Sequence, residues 1–169
     1  MRRFLVDNVV EPLSDADVQS LLNEHLPYRL EMIRDARNRV PAKTFADNQA
    51  FEAGALAGRS LLAFLGVAFD RKKGVLVPYH SHIRLKGGLT DEVKAPDVGG
   101  RYVEIGRFTG HDAAILARFI EGVHKACAHF TWNSEHRLDP VTFTEACDLI
   151  LHLYAEHIEA KRQQEIRTT

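Results

Sequence analysis

Glu52 and Arg59 are the only charged residues in the run 49–69, which is otherwise apolar or small at nearly every position. At about 100° per residue, their seven-residue spacing brings the two side chains to within about 20° of one helical face. Phe51, Leu61, Leu62, Phe64 and Leu65 favour burial of this helix, so the sequence predicts that the two charges are buried with it. A charge taken out of water is costly unless it is paired and hydrogen-bonded. The stripe is therefore expected to find polar partners elsewhere in the chain. An arginine so placed can stabilise negative charge developing at phosphorus, and a histidine beside it can serve as general base.

His129 is the histidine expected to join Arg59 and Glu52, with Thr131 orienting either side chain. Arg118 and His124 form the alternative pair. The five residues between them set their side chains about 120° apart on a straight helix, so they converge only in a distorted helix or across a dimer. Arg71-Lys72-Lys73, near His80, His82, Arg84 and Lys86, makes a locally basic segment suited to phosphate or RNA contact, or simply to solvation. Arg29 shares a helical stripe with Val18, Leu22 and His25 and is a further binding candidate. RNA cleavage by such groups needs no cofactor and no metal, since the histidine acts on the 2′-hydroxyl and the arginine on the phosphate. Metal chemistry is the weaker class. His124/His129 and His152/His157 are each five apart and off a common face, and His80-x-His82 is a common pattern. No metal ligand is assigned.

The elements Glu52-x6-Arg59-x-Leu61-x2-Phe64 and Ala128-His129-Phe130-Thr131 resemble those of a group of small uncharacterised bacterial all-helical proteins. His25-Leu26-Pro27-Tyr28-Arg29-Leu30-Glu31-Met32 is similar to their N-terminal helix. The resemblance spans roughly residues 20–155, and it departs at Ala57, where that group carries a histidine. Some such proteins are likened to the HEPN superfamily, whose members cleave RNA or bind nucleotides through an Arg-x4–6-His motif across a dimer. The resemblance thus implies a homodimer and an RNA or nucleotide ligand, and Arg118-x5-His124 fits the motif.

The whole chain bounds these readings. Its 169 residues, 45% apolar and 27% charged, fit one domain with a real core. A net charge of −1 gives no overall basic field to draw it to nucleic acid or an anionic membrane, although a local patch is allowed. Cys127 and Cys147 are too few for a disulfide framework and fall on apolar faces, as buried thiols of a reducing cytoplasm do. The start, Met-Arg-Arg-Phe-Leu-Val-Asp, lacks the long apolar stretch of a signal peptide. Two charges and three glycines in residues 49–69 oppose a membrane span.

The elements that must position the candidates follow from periodicity. Ser14 with Asp15 and Asp17 predicts a helix start, with the helix running to about Arg37 and kinked or split at Pro27. A second helix is expected from about Ala42, with Gly66 as its stop. Residues 70–109 form an irregular excursion, a folded loop or lid, in which 82–86 and 102–105 suggest a small hairpin. Leu116, Phe119, Ile120, Val123, Cys127 and Phe130 mark one later helix, and a last one follows Asp139-Pro140. Residues 163–169 read as a frayed tail.

The expected architecture is an all-α, antiparallel four- to five-helix bundle in a single domain, 1–169. The functional expectation is a cytoplasmic, HEPN-like RNA-cleaving or nucleotide-binding homodimer with a buried Glu/Arg/His site. The alternatives are a non-catalytic structural or dimerisation protein whose buried charges fix helix packing and, behind it, a metal-dependent bundle enzyme.

Overall fold

The computed structural model describes residues 5–6, 9–10, 13–79, 93–126 and 138–160. Leu5–Val6 (β1) and Val9–Val10 (β2) pair as a minimal antiparallel hairpin. The first helix starts where the sequence places it. Ser14 is the N-cap, its hydroxyl accepts from the Asp17 N–H at 3.3 Å, and Asp15 and Asp17 sit in the positive first turn. Asp15–Ser20 (α1) passes through a widened π turn, Leu21–His25, into Leu26–Asn38 (α2). Pro27 explains the widening. It has no N–H to donate and its ring crowds the preceding turn, and Leu26 N–H reaches back five residues to the Leu21 carbonyl. The interruption expected at Pro27 therefore takes the form of a local bulge one turn upstream.

Phe45–Phe64 (α3) begins three residues later than expected, because Thr44 and Asp47 close a reciprocal capping box. The Thr44 hydroxyl accepts from Asp47 N–H at 3.1 Å, and Asp47 accepts from Thr44 N–H at 3.0 Å. Gly66, at φ 85°, ends the helix in the left-handed conformation that glycine tolerates. Met32 and Ala36 face Gly54, while His25, Leu26 and Arg29 lie by residues 60–64. The α2 and α3 residues thus meet in reverse order, and the two helices run antiparallel.

The excursion's strand pair among the described residues lies at its start. Val67–Asp70 (β3) pairs antiparallel with Val75–Pro78 (β4), Asp70 opposite Val75 and Val67 opposite Pro78. The turn closes through Gly74 N–H to the Asp70 carbonyl at 2.8 Å, with Gly74 at φ 68°. Residues 102–105 do not pair as a strand. Val103 N–H bonds the Leu65 carbonyl at 3.0 Å, and the chain then tightens into the 3-10 turn Ile105–Arg107. Their apolar alternation reflects one buried side chain, Val103, under a crossing loop. The other expected strand, 82–86, lies outside the described residues, as does the 163–169 tail.

Gly110–Ala126 (α4) buries Leu116, Phe119 and Val123, as its stripe requires, while Cys127 and Phe130 lie outside the described residues. Pro140–Tyr154 (α5) follows the Asp139 N-cap and runs into a second π turn, Ala155–Glu159. Leu61, Leu62, Phe119, Phe143, Ile150 and Ile158 are wholly buried, and α3 touches α2, α4 and α5. The described chain is mostly helical with the small β3–β4 hairpin, which packs on α3 and α4. No helix among the described residues is long and apolar enough to cross a membrane.

Candidate functional site

Three elements meet around a groove of about 540 Å³. Helix α3 contributes Leu56 and Arg59, the hairpin Phe69 and Arg71 with Tyr79 just beyond it, and α4 contributes Ile120, Glu121 and His124. Arg71 is placed by the tight turn that opens with it. The Asp70 carboxylate accepts from Lys72 N–H at 2.9 Å and Lys73 N–H at 3.3 Å, which holds that turn against the strand end. From there the Arg71 guanidinium reaches His124 Nδ1. A guanidinium only donates, so Nδ1 accepts, and the neutral ring carries its proton on Nε2.

Arg59 lines the same groove half-buried, and among the described residues it meets no carboxylate. Glu121, the acid of the lining, pairs with Lys125 at 2.9 Å. Lys94 donates from Nζ to the Ala63 carbonyl at 3.4 Å and sits 3.8 Å above the centre of the Tyr79 ring, but it lines the cavity on the neighbouring flank of α3 rather than this groove. Two arginines beside a donor-bearing imidazole, with the local acid already paired, make a surface built to receive negative charge.

Glu52 does not belong to it. Its side chain is exposed, which overturns the expected buried Glu52–Arg59 stripe. The two do share a helical side, but it is the outer one, with exposed Phe45, Gln49, Leu56 and Ser60. The buried side carries Gly54, Ala55, Gly58, Leu61 and Leu62. The run reads as apolar largely through alanine and glycine, which expose little hydrocarbon and exert little pull toward the core. Only Arg59, at the rim, is drawn in. A packing role for a buried Glu52–Arg59 pair loses its basis with the same observation.

The remaining candidates scatter. Arg118 points outward and pairs with Asp139 at 3.2 Å, whereas His124 turns to the hairpin, so within one chain the pair does not converge. Lys72 and Lys73 project into solvent from the turn rather than into the groove. His129, Thr131, His80 and His82 lie outside the described residues. Arg29 lines a separate cavity between α2 and α3. Among the described residues no three potential metal ligands cluster. Cys147 is fully buried, and burial pushes its thiol up to about 12, so it is inert.

Tyr79, Lys94 and Glu121 were not singled out from the sequence. Glu121 had a readable signal: it precedes His124 by three residues and so lies one turn below it on the same face. Tyr79 reaches the groove, and Lys94 the Tyr79 ring, from the two ends of a long excursion, and spacing carries no trace of that. A second polar cluster, also unforeseen, joins the end of α5 to the 101–107 loop. Arg107 grips Glu156 with two bonds of 2.7 and 2.8 Å and contacts His157 Nε2 at 3.1 Å. His157 is buried, and burial holds its proton affinity below the ordinary imidazole value. Compared with protein-family models, curated proteins and solved structures, the chain matches none of them.

Proposed function

We propose that an antiparallel helical bundle presents the α3–hairpin–α4 groove as a phosphate-ester site, and that its ligand is an RNA chain or a nucleotide. The observation that carries this reading is Arg59, half-buried in the groove that Arg71 and His124 also line and meeting no carboxylate among the described residues, while the acid of the lining, Glu121, pairs with Lys125. Two like charges gathered in a concave wall repel one another until an anion enters. Arg71 can turn bidentate donors to a phosphate, with the Arg59 guanidinium in the same groove wall. Lys94 covers one face of the Tyr79 ring at the groove's end, and a base would stack on the opposite one.

Binding fits this geometry better than cleavage does. A general base needs a lone pair, and the one on His124 Nδ1 is taken up by Arg71, while Nε2 holds a proton. RNA cleavage in the HEPN manner asks in addition for Arg118 to meet a histidine across a homodimer. The direct test is fluorescence anisotropy with a labelled single-stranded RNA oligonucleotide, competed by a mononucleotide. Arg59→Met and Arg71→Met should each weaken binding about tenfold or more. Equal affinity in wild type and both variants overturns the site. Incubation of the same RNA with wild type, His124→Ala and Arg118→Ala separates the roles: product in wild type alone establishes cleavage, and intact RNA throughout leaves binding.

A further inference from the structure

On the neighbouring flank of α3 a second cavity, of about 500 Å³, opens against the widened turn Leu21–His25. We propose that it binds a small amphipathic carboxylate, with the carboxylate at Arg29 and Lys94 and the apolar body over Leu26, Leu61 and Phe64. The inference is independent of the phosphate groove. Its size lies within the range of small-molecule sites, about 300–1,000 Å³, and it has their usual make-up of an apolar floor with a few polar groups at one side. The floor is Leu21, Leu26, Leu61, Phe64 and Val93, and the charged or ionisable side chains are Asp17, His25, Arg29 and Lys94.

Arg29 is positioned for such a ligand. Its Nη1 donates to the His25 carbonyl at 3.2 Å, in the turn that Pro27 forces wide, and this fixes the guanidinium against the cavity wall. Among the described residues it meets no carboxylate, although a planar fork of donors is shaped for one. Lys94 is steadied beside it by the Ala63 carbonyl and the Tyr79 ring. The apolar floor selects the ligand: an anion with a hydrocarbon body covers Leu26, Leu61 and Phe64, whereas inorganic phosphate leaves them wet. Bulges of this helical type also recur at functional sites.

Titration of the full chain with phenylacetate, read by protein NMR shifts and by thermal denaturation, tests the proposal. Phenylacetamide, of the same shape without the charge, and inorganic phosphate are run beside it. Phenylacetate should bind with a dissociation constant of about 1 mM or tighter and raise Tm. Phenylacetamide should bind about tenfold more weakly, and phosphate should not compete. Arg29→Met should weaken phenylacetate about tenfold, with Lys94→Met carrying the same arm if the first variant does not fold. Arg71→Met, which alters only the phosphate groove, should leave phenylacetate binding unchanged. No binding, equal binding of acid and amide, displacement by phosphate, or loss in Arg71→Met with retention in the cavity variants overturns the assignment.

Discussion

Replacing Gly54 by alanine sets two effects of opposite sign against each other. Gly54 sits mid-way along α3, where α2 crosses closest, and it is fully buried. Alanine is the better helix former by about 1 kcal/mol, so on an exposed helix the change would stabilise. Here an added Cβ would lie 2.2 Å from Ala36 Cβ and 2.8 Å from the Met32 carbonyl oxygen. Neither is the end of a flexible side chain, so the helices themselves must separate. Separation also strips contact from Leu26, Leu30 and Ile33, which are buried on α2. A contact this close belongs at the upper end of overpacking costs, about 2–3 kcal/mol, so the net expectation is destabilisation by about 1–2 kcal/mol after the propensity gain. Gly106→Ala is the control. It meets nothing within 4 Å and should be neutral or slightly stabilising, by up to about 1 kcal/mol. Urea unfolding of the two variants beside wild type measures both. Gly54→Ala as stable as wild type would refute the close α2–α3 approach, and with it the cavity between them.

Asp139→Ala removes the N-cap of α5, where the carboxylate accepts from the Thr142 N–H at 2.9 Å and its hydroxyl at 2.6 Å. It should cost about 1 kcal/mol in urea denaturation. The Thr142 bonds hold Asp139 below the usual carboxylate range; its contribution should persist above the ordinary carboxylate value near 3.9 and disappear as pH falls through its lower folded value. His157 works at milder pH. Because burial lowers its folded proton affinity, the unfolded chain takes up the proton first, so Tm should fall as pH drops below about 6.5, and His157→Leu should flatten that slope. Glu52→Ala, on an exposed side chain without a partner among the described residues, should change stability by no more than about 0.5 kcal/mol in the same urea assay.

The fold was legible wherever one stripe or one cap decided the outcome. Ser14, Gly66 and Asp139-Pro140 marked helix ends, and Leu116, Phe119 and Val123 marked the buried side of α4, because each signal is local and uncontested. The β3–β4 hairpin was missed because Val67–Asp70 continues the apolar run of α3. A buried helix end and a short strand carry the same composition, and only Gly66 divides them. For the site, Arg59, Arg71 and His124 were each singled out, yet in three separate constellations, since nothing in the spacing shows that a four-residue turn sets Arg71 over α4. Glu52 was misread because alanine and glycine were counted as apolar pressure when the leucines on the opposite side decide the orientation.

The salt dependence of RNA affinity tests the phosphate groove most directly. Each phosphate neutralised on a single strand contributes about −0.7 to the slope of log K against log salt. With Arg59 and Arg71 each engaging one phosphate, the wild-type slope should be about −1.4, and Arg59→Met should bring it to about −0.7. A slope that Arg59→Met leaves unchanged, or no measurable RNA affinity at low salt, would contradict the groove as the place where phosphate is held.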